Sequence, residues 1–558
     1  MKDPTLSICM IVRDEEKNLP RALSSVQGLA DEIIVVDTGS KDKTVEIAKS
    51  FGAQVYFFEW CDNFSAARNE SIKHATKDYI LWLDADDEFD TKRSGDLKTI
   101  LKTHLGYAFY LLIRLKKREV IEETYQIRVF PNKRGVLFEG RVHEQPFFSL
   151  KRKKIPLRYV DIPITHYGYE LETNIREKLE RNKRLLELDL AERPDDLITK
   201  FFYGKTLLGL GRTKEGLKHL TDFIQAAKKE RILVEGRYVA IAFLDIFRTF
   251  TEQRKFEETL DYISEYRALY GKDFESNMFL ADVYLFQEKY ADALQELSFA
   301  ESVNLKISTY PVSLPALRAG LYARKAFCLA KLGREKEAKL YIELARGEKV
   351  TDSQVVNLLA DTSIVLKDAE LLSVIIEEGG KYTERYEYLQ GFLYLLSQDY
   401  HRAREKLEEA INRGYRTKNS YLALAIALKA DGDPAGAVNL LEASLNMLGE
   451  DYDILKELVF SCVEANEIEK AKFYYGLLKG WDSDPDMIAL GAYLSVMDKD
   501  WTSMLQYLFG LSKKLFPHDS PSPERILDVE KALIQKKELR AAGLVQKSIK
   551  KFIETYPT

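Results

Sequence analysis

Ile80-Leu81-Trp82-Leu83-Asp84-Ala85-Asp86-Asp87-Glu88 decides how the first part of this chain is read. An apolar run stops abruptly at carboxylates, the pattern of a buried parallel strand whose carboxyl end opens into a polar site. Acidic side chains this close repel one another, and recruiting a cation lowers that cost. Asp84 and Asp86, one residue apart, can both face a hard divalent metal that takes oxygen ligands. Such a metal most naturally serves a phosphate-bearing substrate. The alternative is a strand followed by a solvated acidic turn, and the surrounding sequence decides between them.

Upstream, strand and helix signals alternate. Residues 6–12, 32–37, 54–60 and 79–83 read as strands, and residues 19–26, 42–51 and 64–75 as helices. Pro20 is tolerated in a first helical turn, and Gly52 closes the second helix. Alternation with such short connections predicts a mostly parallel sheet covered on both faces, with the ligand site beyond the carboxyl ends of the strands. Arg13-Asp14-Glu15, Asp37 and Asp84 to Asp86 all fall at strand ends, and that convergence favours a functional acidic cluster over a solvated turn. Downstream, residues 107–115, 125–130 and 136–138 read as further strands.

At 558 residues the chain exceeds a single hydrophobic core. With 46% apolar and 31% charged residues it has the composition of a soluble protein, and a mixed net charge of −5 argues against a general nucleic-acid binder. Lys151-Arg152-Lys153-Lys154 reads as a solvated connection. Cys9, Cys61, Cys328 and Cys462 are widely spaced without a C-x-x-C pair, which fits free thiols in a reducing compartment. No apolar segment reaches the roughly 18 residues of a membrane span, and no signal-peptide pattern is present. The expected location is cytoplasmic.

After Asn174 the pattern becomes helical almost to the end, placing a boundary near residues 170–185. Gln398-Asp399-Tyr400-His401-Arg402-Ala403, Gly432-Asp433-Pro434-Ala435-Gly436-Ala437 and Asn466-Glu467-Ile468-Glu469-Lys470-Ala471 align, and their final alanines recur every 34 residues. Less regular copies sit at Gly216, Thr259, Ala293, Ala338, Ala369, Met504 and Ala542. That period belongs to the tetratricopeptide helix-turn-helix, in which a small residue lets paired helices approach, and stacked units form a solenoid whose concave face usually binds peptides or proteins. The expected organisation is a domain over 1–175, a helical linker over 176–200 and a repeat array over 201–558. A purely structural or dimerising array is the alternative.

Four features, Met10 to Glu16 (MIVRDEE), Val36 to Thr44 (VDTGSKDKT), Phe64 to Asn69 (FSAARN) and Leu83 to Glu88 (LDADDE), together resemble the GT-A-fold family 2 glycosyltransferases over about residues 5–170. With the added repeats, the chain is similar to the tetratricopeptide-bearing members, which include bacterial peptide and flagellin glycosyltransferases. Lys43 departs from the commonest family pattern in a way that alters only the local turn and keeps Asp37, Ser40 and Asp42, while Arg13-Asp14, where relatives often carry lysine and asparagine, leaves base and sugar preference open. The resemblance implies that Val12, Arg13 and Glu15 line the nucleoside pocket, that Asp37 accepts hydrogen bonds from the base, and that Arg68 meets the diphosphate. Asp84 would face the ribose or metal, and Asp86 would ligate Mn²⁺ or Mg²⁺, with His166 completing the ligand set. Glu144, with His143 second, is the candidate base for the acceptor proton. For Arg68 the competing role is a surface salt bridge, for Asp37 a helix cap, and for the His143-Glu144 pair an ordinary hydrogen-bonded couple.

The leading expectation is an inverting, metal-dependent enzyme moving a sugar from a nucleotide-sugar, a UDP-sugar first, to a protein or peptide side chain such as a flagellin-like protein or a secreted peptide. Alternatives are a glycan or lipid-linked acceptor with the repeats forming a homodimer, and a non-catalytic scaffold.

Overall fold

The computed structural model describes residues 3–117, 120–168, 175–230, 233, 238–305, 311–478, 484–516 and 523–555. Tyr169 and Asn174 lie outside these. The chain forms two compact units, Met1–Val350 and Thr351–Thr558.

The first unit is built on a mixed eight-stranded sheet of β1 (Leu6–Val12), β2 (Glu32–Asp37), β3 (Gln54–Phe57), β4 (Tyr79–Leu83), β5 (Asp87–Phe89), β6 (Ala108–Lys117), β7 (Val120–Pro131) and β8 (Leu157–His166), in the order β3-β2-β1-β4-β7-β6-β8-β5. The first four strands pair in parallel, as their alternation with helices requires, and β6 pairs in parallel with β8. The other pairings are antiparallel. Register aligns Val12 with Asp37, Met10 with Leu83 and Asp37 with Phe57, so the polar ends of β1, β2 and β4 share one edge.

Side chains alternate across the sheet and so feed two cores. Ile8, Met10, Val12, Leu81 and Leu83 pack with Leu19, Leu23 and Leu97 from helices α1 (Leu19–Val26) and α4 (Ser94–Thr103). Cys9, Ile34, Ile80 and Trp82 point the other way. They share a core with Phe201, Phe223, Phe243 and Tyr266, whose helices are α7 (Leu197–Gly209), α8 (Thr213–Ala227), Tyr238–Glu252 and Phe256–Tyr270. The first repeat-like helices therefore cover the sheet's second face. Between them lie α2 (Thr44–Ser50), α3 (Phe64–His74), α5 (Phe147–Arg152) and α6 (Ile175–Glu192).

From α7 onward, helices follow one another in hairpins, the solenoid-type run expected from the repeats. Before the second helix of a pair, one residue takes a left-handed conformation: Gln398 (φ 61°), Gly432 (φ 92°) and Asn466 (φ 60°) do so at equivalent positions. Asp399 and Asp433 then cap the helices Tyr400–Asn412 and Pro434–Leu448 by accepting the backbone N–H of Arg402 and Gly436. Ala403, Ala437 and Ala471 are each the fourth residue of their helix and fully buried. Gly216 holds the same place in α8, where an added Cβ would lie 2.9 Å from the Gly204 carbonyl oxygen of α7. The copy at Ala369 is out of register. Ala369 opens its helix, and the buried fourth residue is Leu372.

Residues 136–138 are not a strand. Val136 and Phe138 are buried, which produces the strand-like alternation, but the backbone of Phe138 is bonded to the Asn69 side chain of α3. The helix expected from residue 42 begins at Thr44, because the Asp42 carboxylate accepts the Thr44 N–H and hydroxyl. Strands β5 and β8 were not legible. All four cysteines are free thiols, and among the described residues no helix is long and apolar enough to cross a membrane. Replacing Ala437 with Leu is expected to overpack its helix pair and cost about 1–3 kcal/mol, read as a lower midpoint in chemical denaturation.

Candidate active site

The loops leaving β1 and β2 are knitted together. Asp14 (φ 55°) receives the Lys41 N–H on Oδ1 and donates its own N–H to Ser40 Oγ. The Glu15 N–H donates to Thr44 Oγ1, and the Glu16 N–H to Asp42 Oδ2. Asp37 is buried, and both its oxygens are engaged within the turn: Oδ1 accepts the Gly39 and Ser40 N–H groups, and Oδ2 accepts the Ser40 hydroxyl.

Helix α3 positions the next group. Asn63 caps it through the Ala66 N–H, and Ser65, Arg68 and Asn69 share the face turned toward residues 138–144. Ser65 donates to the Gly140 carbonyl at 2.6 Å, while Asn69 both donates to and accepts from the Phe138 backbone. This clasp brings Glu144 to Arg68. The Arg68 guanidinium donates through Nε to Glu144 Oε1 and through Nη2 to Asp84 Oδ1, each at 2.7 Å, and lies 4.3 Å from the Trp82 ring centre. Arg128 of β7 stacks on the same indole at 3.8 Å and donates to Asp87 Oδ2 at 2.7 Å. Burial opposes ionisation of Asp84, but Arg68 and Arg128 win and hold it well below the usual carboxylate range.

Antiparallel pairing sets Asp87 directly opposite His166. His166 Nδ1 lies 2.9 Å from Asp87 Oδ1 and 3.4 Å from Asp86 Oδ1. Burial works against charge on His166, yet the bond to Asp87 and the surrounding carboxylates raise its pKa. With Nδ1 held, Nε2 is turned to the far side of the ring, where a carboxylate–histidine pair presents a metal ligand. An added Cβ on Gly168 would fall 2.3 Å from Asp86 Oδ2 and 2.8 Å from His166 Nε2, so both atoms border one small space that tolerates no side chain there. Burial and the charges of Asp84, Asp87 and Glu15 push the Asp86 carboxyl up to about 7, against the attraction of His166. One ligand atom from each of Asp84, Asp86, Asp87 and His166 lies within 4.8 Å of the others. Three carboxylates and one imidazole suit a hard divalent cation, so the donor set fits Mg²⁺ or Mn²⁺. Asp87, saturated by Arg128, His166 and the Asp84 N–H, orients the others.

This cluster opens into a cavity of about 1030 Å³ lined by Val12, Arg13, Glu15, Arg68, Asp84, Asp86, His143, Glu144 and His166, together with residues of α6. Every candidate from the sequence lines it except Asp37, whose carboxylate closes its own turn. His143 (φ 56°) stacks on Phe202 with ring centres 4.2 Å apart, and burial with nearby Lys205, Lys178 and Arg181 lowers its pKa to about 4. A second cavity of about 720 Å³ shares Arg68, Asp84, His143 and Glu144 with the first and is walled by aromatic rings, among them Trp82, Tyr110, Tyr159, Phe201 and Tyr238. The Arg68–Glu144 pair stands where the two meet. Sequence reading missed Arg128, Asp87 and Gly168. An arginine inside the otherwise apolar end of β7 was the available signal for the first.

Residues 7–157 match the model of glycosyl transferase family 2. Over 232 residues the chain is 35% identical to a TPR repeat-containing protein of Synechococcus elongatus and 30% identical to the SPbeta prophage-derived glycosyltransferase SunS of Bacillus subtilis. Each match takes in 40% of this chain and 58% and 54% of the relatives, so the chain spans little more than half the length of the curated relatives it matches. Among solved structures, S. aureus TarS 1-349 in complex with UDP-GlcNAc is similar at 13% identity and a TM-score of 0.29, covering 51% of this chain and 92% of that one.

Two outcomes follow from the geometry. Arg68→Ala leaves Glu144 without its buried partner and Asp84 with Arg128 alone, at 3.6 Å, and is expected to cost about 3–5 kcal/mol, measured by denaturant unfolding. Asp86 holds its proton in the folded state at pH values where an unfolded carboxyl has lost it, so its contribution to stability falls as pH rises from about 4 to about 7. A bound divalent cation competes with that proton. The rise in melting temperature caused by Mn²⁺ is therefore expected to be full at pH 8 and lost as pH falls through about 7, read by scanning fluorimetry.

Proposed function

We propose that this chain is an inverting, metal-dependent glycosyltransferase that moves a sugar from a nucleotide-sugar, a UDP-sugar first, to a protein or peptide side chain. The observation that carries this reading is the junction of two cavities at Glu144: one holds the acidic cluster, and the other, rich in aromatic rings, has room for an acceptor segment. The family 2 domain and the relative named as a glycosyltransferase support it.

In this reading Val12, Arg13 and Glu15 bound the nucleoside, and Asp86, His166 and Asp84 hold Mn²⁺ or Mg²⁺. That ion would stabilise charge on the departing nucleoside diphosphate. Asp37 acts at one remove, by fixing the turn that carries Thr38 into the cavity wall. Glu144 takes the acceptor's proton as the nucleophile attacks the face opposite the leaving group. Arg68 anchors Oε1 of that carboxylate, and the second oxygen is assigned to the proton. His143, neutral and stacked, shapes the passage between the cavities. Residues 1–175 are assigned the donor chemistry, 176–200 the link, and 201–558 the recruitment of a flagellin-like or secreted-peptide acceptor in the cytoplasm.

The test is a screen of UDP-, dTDP- and GDP-sugars with Mn²⁺, read by release of nucleoside diphosphate, with peptide and glycan acceptors compared. Turnover with one donor, stimulated by peptide, is expected. Asp86→Ala should remove it with an unchanged circular dichroism spectrum. Absence of any hydrolysis or transfer across the screen would sink the enzyme reading, and stimulation by glycans alone would move the acceptor to a saccharide.

A further inference from the structure

A pyrophosphate bridged to a cation on one side still carries charge on the other, and the cavity must meet it. The expected partner, Arg68, is only 6% exposed and already gives its guanidinium to two carboxylates. Pulling it toward a phosphate would strip Glu144 of its buried partner or leave Asp84 to Arg128 alone, which is costly. Arg13 is more than half exposed and lies beside Asp14. The remaining lysine and arginine of the cavity wall among the described residues are Lys178 and Arg181, three residues apart on α6.

The helix is built to hold them there. Toward its carboxyl end, Leu185 and Leu186 pack under Val142, Phe64 and Phe202. Asp189 accepts the Arg141 N–H at 2.8 Å, and Arg184 makes a two-pronged bond to Asp62 at 2.7 and 2.8 Å. Asn182, 5% exposed, accepts from Nη2 of Arg181 at 3.1 Å and so steers the guanidinium with a neutral group. The positive field of Lys178 and Arg181 is felt inside the cavity, where it helps keep His143 neutral. We infer that Arg181 and Lys178 form the cationic wall that takes the diphosphate of the donor, opposite the carboxylate cluster, with Asn182 as the positioning residue. Arg68 is then the internal counter-ion that sets Asp84 and Glu144. The inference rests on the donor reading above and adds that the helix following the family 2 segment completes the donor site.

The experiment is calorimetric titration of the full chain with UDP, dTDP and GDP in Mn²⁺, repeated with the matching nucleosides. Lys178→Gln/Arg181→Gln should weaken the best diphosphate by about tenfold or more, the size expected for losing charge-assisted hydrogen bonds. Nucleoside and Mn²⁺ affinity should stay unchanged, and Arg181→Lys should recover part of the loss. Both substitutions sit outside the apolar anchor, so an unchanged melting temperature is expected and checks the fold. Diphosphate binding within twofold of wild type, or an equal loss for the nucleoside, overturns the assignment while leaving the donor reading standing. A wild-type chain that binds no diphosphate overturns both.

Discussion

A buried guanidinium between two carboxylates is the constraint on which the site depends. Arg68 reaches Asp84 at the end of β4 and Glu144 in the loop before α5, and so ties the central strand to a loop sixty residues later. Neither carboxylate is at ease in that apolar surround without a partner, and each is fixed because the cation is shared. Arg128 repeats the device one strand over, stacking on Trp82 and reaching Asp87. The indole that both arginines contact lets positive charges approach the acidic cluster without adding hydrogen-bond demand of its own beyond its N–H, which donates to the Ile127 carbonyl. Asp84, Asp87 and Glu144 find their cations within the protein, whereas burial and its acidic neighbours push the Asp86 carboxyl up to about 7, and burial raises Glu15 as well.

The parallel half of the sheet was legible because its rules are local. A buried strand reads as an apolar run, and a polar residue where the run ends marks the carboxyl edge. Leu6–Val12, Glu32–Asp37 and Tyr79–Leu83 lie where expected. The small residues of the repeats were legible for a related reason, since the 34-residue spacing samples one buried position again and again. What was not legible depends on register between distant segments. Asp87 had no assignable task until β5 paired with β8 and set it opposite His166, 79 residues away. Residues 136–138 carried the right alternation for a strand, but Asn69 took the backbone bonds that a neighbouring strand would have supplied. Asp37 shows the converse. Its position at a strand end was read correctly, and its bonds to Gly39 and Ser40 turn it inward.

The α6 helix stands between these two kinds of order. Its own sequence is charged and amphipathic, without a motif. What gives Lys178 and Arg181 a place is the anchoring of Leu185, Asp189 and Arg184 against elements that arrive from residues 62 to 142.

The core shared by Trp82, Tyr110 and the rings of Phe201, Phe223, Phe243 and Tyr266 has a consequence for how such a chain can be diversified. Helices that look like the beginning of a binding array are also the second skin of the catalytic sheet, so they cannot drift or be exchanged freely. A chimaera cut at the start of the repeats would strip one face of the sheet bare. A cut at the division near Val350 would leave that face clothed, which makes the later helices the portion open to swapping.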